Sequence, residues 1–350
     1  MTSTLKARIA IAGVGNCSSV LVQGLGYYSS GGTKGLWHPA VAGMRARDIG
    51  VVAAFDIDPR KVGKGLDEAI FAPPNVARRY GEPRPSKVVV GPGISEGDAA
   101  PHLRSSKLET ADRREVAEQL EDADADILVN LISSGSDSSS EGYALAALDA
   151  GCAFVNCTPS LILRRKSVAS KFAGAGLPLV GDDLMSQFGG TVFHRGLVSF
   201  MVNRGVRIAK SYQLDVGGGS ETLNTIDEAI KMAKREVKTS SVASEVPYKF
   251  ETIAGTTDYV DYMGNDRTSY FWAQGSGFLD SDVIIDVYLR TSDGANGGNI
   301  LFDVLRATYS VLRRHRLAAV ADVCAYGFKS PPKPAHFEEA YRRFVASFVK

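Results

Sequence analysis

The segment Gly13-Val14-Gly15-Asn16-Cys17-Ser18 constrains the fold more than any other part of this sequence. It follows an apolar run at Arg8–Ala12 and precedes Cys17–Tyr27, which has the apolar spacing of a helix. The first glycine permits a tight turn, and the second lets the backbone approach a diphosphate at the helix N-terminus. The third position of the motif is Ser18, where a small residue can replace glycine. The pattern predicts a strand, a turn and a helix that bind a dinucleotide.

An acidic residue at the end of the second predicted strand supports this prediction. The apolar run Gly50–Phe55 is followed by Asp56, which fits the acid that binds the adenosine ribose hydroxyls and favours NAD over NADP. Asp56 lies farther along the chain than the usual spacing of about 20 residues. We therefore predict that Ser29–Asp48 is an excursion. A glycine turn alone is also compatible with a plain strand-to-helix connection, and the acid favours dinucleotide binding.

Composition excludes several classes of protein. The chain has 350 residues, of which 44% are hydrophobic, which predicts one large or two ordinary domains. Lys plus Arg number 40 and Asp plus Glu 39, so charge indicates neither a nucleic-acid partner nor a membrane surface. No apolar run reaches the roughly 18 residues of a membrane span, and the N-terminus is typical of a first strand rather than a signal peptide. The four cysteines and five histidines form no metal-binding pattern, so we expect no metal and a reduced, cytoplasmic setting.

The order of apolar segments predicts the fold class. Short apolar runs alternate with helical patterns in the first half, as in a parallel sheet covered on both faces. Further strands are predicted at Asp126–Ile132, Ala153–Asn156 and Leu177–Val180, and helices at Ala111–Glu121 and Ser139–Ala150. Arg207–Val216 and Val283–Thr291 partly alternate, as antiparallel strands do. Later segments predict a helix at Ile300–Arg314, a strand at Ala318–Ala325 and a helix at Phe337–Val349.

We therefore expect an α/β protein with three parts. A Rossmann-type NAD-binding domain would occupy residues 1–198, and an inserted α+β catalytic and oligomerisation domain residues 199–298. Residues 299–350 would return to the first domain and complete it.

Three other groups of residues could carry chemistry. Asp182 and Asp183 follow an apolar strand, where two carboxylates could orient a cofactor or a cation, or could cap a helix. Lys234 and Lys238 are four residues apart on one helix face, and such a pair alone favours a solvated charged surface. Lys329 follows an apolar run and precedes two prolines, which predicts a stiff loop.

Seven blocks occur in the order found in the myo-inositol-phosphate synthases, and the chain resembles the shorter prokaryotic form of that family. The blocks are GVGNCSSVLVQG at Gly13–Gly24, AAFDID at Ala53–Asp58, AFVNCTP at Ala153–Pro159, GDDLMSQFGGT at Gly181–Thr191, QLDVGGG at Gln213–Gly219, REVKTSSV at Arg235–Val242 and FKSPP at Phe328–Pro332. The resemblance implies a Rossmann domain completed by the C-terminus, and an inserted domain that carries the active site and builds a homotetramer.

The resemblance also implies a reaction in which NAD is regenerated in every turnover. A hexose 6-phosphate is oxidised at C5, enolised at C6 and closed by an intramolecular aldol step, and the ketone is then reduced again. Catalytic roles are implied for Lys234, Lys238, Lys329, Asp183 and Asp293. Cofactor contacts are implied for Gly13, Gly15, Asn16, Cys17, Asp56, Gly135, Ser136, Thr158 and Asp183. Substrate contacts are implied for Ser186, Gln187, Glu221 and Thr268.

Four positions depart from the family pattern. Thr268 stands where the family has a lysine, Met185 where it has a lysine after GDD, Glu221 where it has an aspartate, and Gly219 where it has an asparagine. A changed substrate would produce this pattern, because a missing lysine at 268 makes room for an extra CH2OH group. We therefore favour fructose 6-phosphate, closing to a five-membered cyclitol phosphate of the kind used for carbocyclic nucleoside antibiotics, over glucose 6-phosphate and myo-inositol phosphate. The same scaffold could also serve an NAD-dependent sugar phosphate dehydrogenase or a non-catalytic NAD-binding regulator.

Overall fold

A computed structural model describes residues 7–349, apart from the side chains of residues 256 and 257. The prediction that the N-terminus is a first strand rather than a signal peptide includes residues 1–6, which lie outside the described residues. The strands are Ala7–Ala12 (β1), Ile49–Asp56 (β2), Val90–Pro92 (β3), Ile127–Asn130 (β4), Ala153–Asn156 (β5), Leu179–Val180 (β6), Arg207–Gly217 (β7), Glu251–Tyr259 (β8), Asp266–Ser276 (β9) and Asp282–Ser292 (β10). The α-helices are Asn16–Tyr27 (α1), Leu66–Ala69 (α2), Arg113–Asp122 (α3), Asp137–Asp149 (α4), Lys166–Ala175 (α5), Gly190–Asn203 (α6), Ser220–Leu223 (α7), Glu228–Ala243 (α8), Asp293–Arg314 (α9), Val320–Gly327 (α10) and Phe337–Phe344 (α11).

The first sheet has six strands in the order β3-β2-β1-β4-β5-β6. Neighbouring strands pair in parallel, so their carboxyl ends meet at one edge. The strand order reverses between β1 and β4, and ligands bind at such a crossover in doubly wound folds. The Rossmann-type sheet predicted from the alternating segments is confirmed.

The C-terminal helices of the chain pack against this sheet. Ile300, Leu301 and Val304 of α9 share one buried cluster with Ile9 and Ile11 of β1, and Phe344 and Phe348 extend that cluster. The predicted strand at Ala318–Ala325 is wrong, because this segment forms a short turn and α10. An apolar run of that length does not distinguish a buried strand from a buried helix.

The second sheet has four strands in the order β10-β9-β7-β8, with β8 parallel to β7 and the other pairs antiparallel. Helices α6 and α8 cover one face, where Val198, Met201 and Val242 pack against Ala254 and Ala273. On the other face, large apolar side chains are exposed. These are Leu214, Ile253, Ile284 and Tyr288.

Both expected domain boundaries fall inside continuous helices. The position 198/199 lies within α6, whose Val198 and Met201 belong to the core of the second sheet. The position 298/299 lies within α9, which begins at Asp293 rather than at Ile300.

Glycines explain the early start of α9. A Cβ at Gly294 would lie 2.5 Å from Asn265 Nδ2, and one at Gly298 would lie 3.1 Å from Val20 Cγ1 of α1. Glycine weakens an isolated helix, so the sequence pattern favours a later start. Here it allows α9 to pack closely on α1.

Candidate active site

Two adjoining cavities lie at the carboxyl edge of the first sheet. The first is lined by Gly13, Asp56, Lys61 and Tyr143. The second lies between the two sheets, and its lining includes Lys234 and Lys238 of α8 and Lys329, which follows α10. The cavities share one wall, made by Gly15, Leu131, Ile132, Ser133 and Ser220. The two cavities are therefore neighbours, one beside the glycine turn and the other beside the lysines.

The turn contains glycine at positions 13 and 15 for two different structural reasons. Gly13 has φ +88°, and a Cβ there would lie 2.7 Å from the Leu131 carbonyl oxygen. A Cβ at Gly15 would meet nothing within 4 Å. Gly13 is thus required by the fold, whereas Gly15 leaves open the space in which a diphosphate would lie. The turn fits a dinucleotide as the sequence predicts.

Asp56 joins the end of β2 to the glycine turn. Its Oδ2 accepts the Val14 N–H at 2.7 Å, and its Oδ1 accepts the Asp58 N–H at 2.9 Å. The ammonium of Lys61 lies 3.6 Å from Oδ2. Asp56 is only 8% exposed, yet it lines the first cavity. The carboxylate therefore holds the turn and lies at the wall of the first cavity.

The remaining predicted cofactor residues, except Gly135, divide between the two cavities. Ser136 lines the first cavity and precedes α4, while Asn16, Cys17 and Thr158 line the second. Gly135 lines neither; a Cβ there would lie 2.8 Å from Ile230 Cδ1 of α8. Burial, together with nearby carboxylates, raises the pKa of the Cys17 thiol to about 12, which excludes it as a thiolate near neutral pH.

The adjacent carboxylates after β6 have different environments. Asp182 is fully buried and accepts hydrogen bonds from Asn156 Nδ2 at 2.7 Å and from the Leu163 N–H at 3.1 Å. Burial raises the pKa of Asp182 to about 7. Asp183 lines the second cavity, and its Oδ1 lies 2.6 Å from Lys329 Nζ. Neither caps a helix, because α6 begins only at Gly190.

Four cations line the second cavity, and each is paired with a carboxylate. The pairs are Lys234 with Glu221, Lys238 with Asp215 at 2.7 Å, Lys329 with Asp183 at 2.6 Å, and Arg267 with Asp293 at 2.7 Å. Lys234 and Lys238 are 8% and 6% exposed, so they do not form the solvated surface that their spacing alone favours. The three predicted lysines are thus brought together.

Two members of these pairs, Asp215 and Arg267, are not among the residues predicted from the sequence. Side chains alternate between the two faces along a strand, so Asp215 and Gln213 of β7 point to the same buried face. On β9, Arg267 lies on the face of the buried residues Ser269, Phe271 and Ala273. The alternation of these strands is the signal that could have found both residues.

The structure does not place Thr268, a predicted substrate contact, in the second cavity. Thr268 pairs with Val216 and Arg290 on the adjacent strands, and its side chain interacts with Tyr288 on the uncovered face of the sheet. It therefore lies on the opposite face from the cavity. The neighbouring residue Arg267 does line the cavity and supplies a cation there. Gln187 also lies outside the second cavity, in a neighbouring groove beside Asn299, whereas Ser186 and Glu221 line the cavity.

The electrostatics of the cavity follow from these pairs. Burial alone would raise the pKa of Asp215, but Lys238 and Arg267 outweigh it and lower the pKa to about 2. Burial lowers the pKa of Lys238, and Asp215 opposes this shift. Although burial would raise the pKa of Glu221, the charge of Lys234 lowers it. The cations and carboxylates are therefore close to balance, and an anionic ligand would compete with the carboxylates for the cations.

Within residues 7–349, no group of three or more His, Cys, Asp or Glu side chains is placed to hold a metal ion. None of the helices described for this chain is long and apolar enough to cross a membrane.

The first sheet, its glycine turn and Asp56 define a dinucleotide-binding fold, and the second sheet adds a cavity of paired cations beside the dinucleotide path. Comparison with known proteins identifies the family. Residues 189–294 match the family model "Myo-inositol-1-phosphate synthase". Inositol-3-phosphate synthase of Mycobacterium tuberculosis is 35% identical over 340 residues, which cover 95% of this chain and 92% of the relative. The enzyme of the same name from Corynebacterium glutamicum is 34% identical, with 99% of both chains covered.

Solved structures agree with this result. The crystal structure of Ari2 has a TM-score of 0.78 and 30% identity, and the match covers 97% of this chain and 98% of that one. A myo-inositol-1-phosphate synthase-related protein from Thermotoga maritima has a TM-score of 0.79 at 20% identity, which shows a shared fold. The chain belongs to the inositol-phosphate synthase family, whose members are NAD-dependent intramolecular isomerases or lyases. The resemblance noted from the sequence blocks is confirmed.

Proposed function

We propose that this enzyme binds NAD along the two adjoining cavities and converts a hexose 6-phosphate into a cyclitol phosphate without net oxidation. The observation that carries the proposal is the shared wall between the glycine-turn cavity and the cation cavity. A dinucleotide whose adenosine lies beside Asp56 would present its nicotinamide to the second cavity. When bound, NAD would supply the hydride acceptor for C5 of the sugar and, after ring closure, the hydride donor.

The cations suit the charge that develops in this reaction. Oxidation, enolisation and aldol closure place negative charge in turn on three sugar oxygens, beside a phosphate dianion. Preorganised cations in a cavity shielded from water stabilise such charge strongly. Lys234 and Lys238 approach from α8, whereas Lys329 approaches from the edge of the first sheet. The substrate would therefore be enclosed by ammonium groups from both sides, and Ser186 is a hydroxyl donor for the phosphate.

Fructose 6-phosphate is our preferred substrate, although the argument from Thr268 no longer supports it. What supports it is Gly219, which lines the second cavity. A Cβ at this position would be in ordinary contact, 3.5 Å from Asn16 and Asn265, so a longer side chain would extend into the cavity. Glycine leaves space there for the extra CH2OH group of a ketose.

Glucose 6-phosphate is the second candidate, and Arg267 favours it. The carbonyl end of the cavity has kept a cation, because Arg267 lines it and pairs with Asp293. Closure on the C1 aldehyde would give the inositol phosphate for which the curated relatives are named.

The experiment that tests the proposed function is an NMR product assay. Purified enzyme with NAD is incubated with each hexose 6-phosphate separately. We expect a five-membered cyclitol phosphate from fructose 6-phosphate. A six-membered product from glucose 6-phosphate alone would establish the second candidate, and steady accumulation of NADH would instead indicate a dehydrogenase.

We also propose that the uncovered face of the second sheet contacts another copy of this chain in a homotetramer. Leu214, Ile253, Ile284 and Tyr288 are each more than two-fifths exposed on this face. An apolar patch on a four-stranded sheet is typical of an interface. Light scattering should report a tetramer for the wild type and a smaller species for Ile284→Lys. A monomeric wild type would contradict this proposal.

A further inference from the structure

Asp215 lies behind Lys238, on the side away from the second cavity. It is 1% exposed and does not line the cavity, whereas Lys238 does. Its Oδ2 lies 2.7 Å from Lys238 Nζ. A substrate in the cavity would therefore meet the ammonium group of Lys238 and not the carboxylate.

The carboxylate of Asp215 is held by hydrogen-bond donors. Ser269 Oγ donates to Oδ1 at 2.6 Å, and Gln213 Nε2 lies 2.8 and 2.9 Å from the two oxygens. Hydrogen bonds to a carboxylate favour its charged form. Ser269 and Gln213 thus hold the carboxylate of Asp215 in place beside Lys238.

Lys238 is a buried cation that lies among other cations. Arg267 of β9 and Lys329 both disfavour its charge, and Lys234 is one turn away on the same helix. His194 of α6 also faces Asp215, but burial lowers its pKa to about 4, so it is neutral near pH 7. Asp293 and Asp183 are already paired with Arg267 and Lys329. Asp215 forms a direct ion pair with the Lys238 ammonium.

We propose that Asp215 is a positioning residue that keeps Lys238 in its ammonium form, so that Lys238 acts as a cation and proton donor and not as a base. Proton abstraction from the sugar is then left to the other ionisable groups of the cavity. The consequence for turnover rests on the cyclisation proposed above, whereas the ionisation of Lys238 does not.

The ionisation can be measured without turnover. The full-length enzyme is treated with trace acetic anhydride over a range of pH, and acetylation of Lys238 and Lys234 is quantified by mass spectrometry. Only the neutral amine reacts. In Asp215→Asn, we expect Lys238 to become reactive at a pH lower by about one unit or more, equivalent to a tenfold larger neutral fraction. Lys234 is the internal reference. Identical Lys238 curves in wild type and variant would overturn the proposal.

Two further variants support this measurement. Ser269→Ala removes a neutral donor to Asp215 and keeps the carboxylate, so its Lys238 curve should match the wild type. Asp215→Ser leaves space for water and replaces Asp215→Asn in the experiment if that variant does not fold. We expect the same shift of Lys238 acetylation to lower pH. A shift as large in Ser269→Ala would show that packing and not charge controls Lys238, and would contradict the proposal.

Turnover provides the second readout. In Asp215→Asn, kcat/KM should persist on the acid side and decline as pH rises through the neutral range, because Lys238 then loses its proton. Activity that increases with pH, or an unchanged profile, would show that Lys238 is not needed as an ammonium. If the wild type cyclises no hexose 6-phosphate, the proposed function fails, and the acetylation curves still decide the role of Asp215.

Discussion

The two halves of the site are built by different means. In the first cavity the backbone sets the geometry, since the turn at Gly13 and the N–H of Val14 position Asp56. In the second cavity the side chains set it, through four cation–carboxylate pairs drawn from distant segments. A site formed by the backbone is visible in the sequence as a local motif. A site formed by paired side chains is not, because it depends on how distant strands align. The two halves should therefore respond differently to substitution.

The largest effect is expected from the lysines of the second cavity. Lys329→Ala and Lys234→Ala should each lower turnover by at least about 10²–10³-fold, the typical loss when a group that stabilises developing charge is removed. NAD affinity, measured by fluorescence titration, should be unchanged. Lys231→Ala, three residues from Lys234 on the same helix and outside the cavity, is the matched control. A near-normal rate in Lys329→Ala or Lys234→Ala would refute their roles.

Arg267 and Thr268 provide a sharper test, because they are adjacent and lie on opposite faces of β9. Arg267→Met should reduce kcat/KM by about 10²-fold through loss of a preorganised cation. Thr268→Ala should leave kcat/KM within a factor of two or so, because its side chain lies on the face away from the cavity and only a small polar contact is lost. The reverse order of effects would show that Thr268 faces the substrate.

Asp56 tests the first cavity. Its substitution by Ala removes charge-assisted hydrogen bonds worth about 1.5–3 kcal/mol each. We expect NAD binding to weaken about 10- to 100-fold, while kcat at saturating NAD changes less. Isothermal titration calorimetry measures the affinity. Unchanged NAD binding would mean that Asp56 only holds the turn.

The two glycines should separate stability from binding. Gly13→Ala strains a residue at positive φ and brings a Cβ against the backbone, so the free energy of unfolding should fall by about 1–3 kcal/mol. Gly15→Ala should leave the melting temperature nearly unchanged and weaken NAD binding, because its Cβ enters open space. Equal effects on stability would contradict the distinct reasons assigned to the two glycines.

The sequence predicts the first half of the molecule well, because its signals are local. The turn at Gly13, the acid at Asp56 and the strand Ala153–Asn156 each follow from consecutive residues. Asp215 and Arg267 could not be found in this way, since their roles depend on the register of β7 against β9. The lysines were assigned through the family resemblance, because a pair such as Lys234 and Lys238 on its own indicates a solvated surface. The sequence pattern places the start of α9 at Ile300 rather than at Asp293, because the glycines between these residues allow close packing on α1 and do not favour a helix by themselves.

The central claim is that a hydride leaves C5 of the sugar and returns to the same carbon within one enzyme molecule. A hexose 6-phosphate carrying deuterium at C5 tests this claim most directly. The account predicts a cyclitol phosphate that retains the deuterium at the corresponding carbon by NMR, with no net NADH in the ultraviolet spectrum. Stoichiometric NADH carrying the deuterium, together with an uncyclised ketose phosphate, would contradict it.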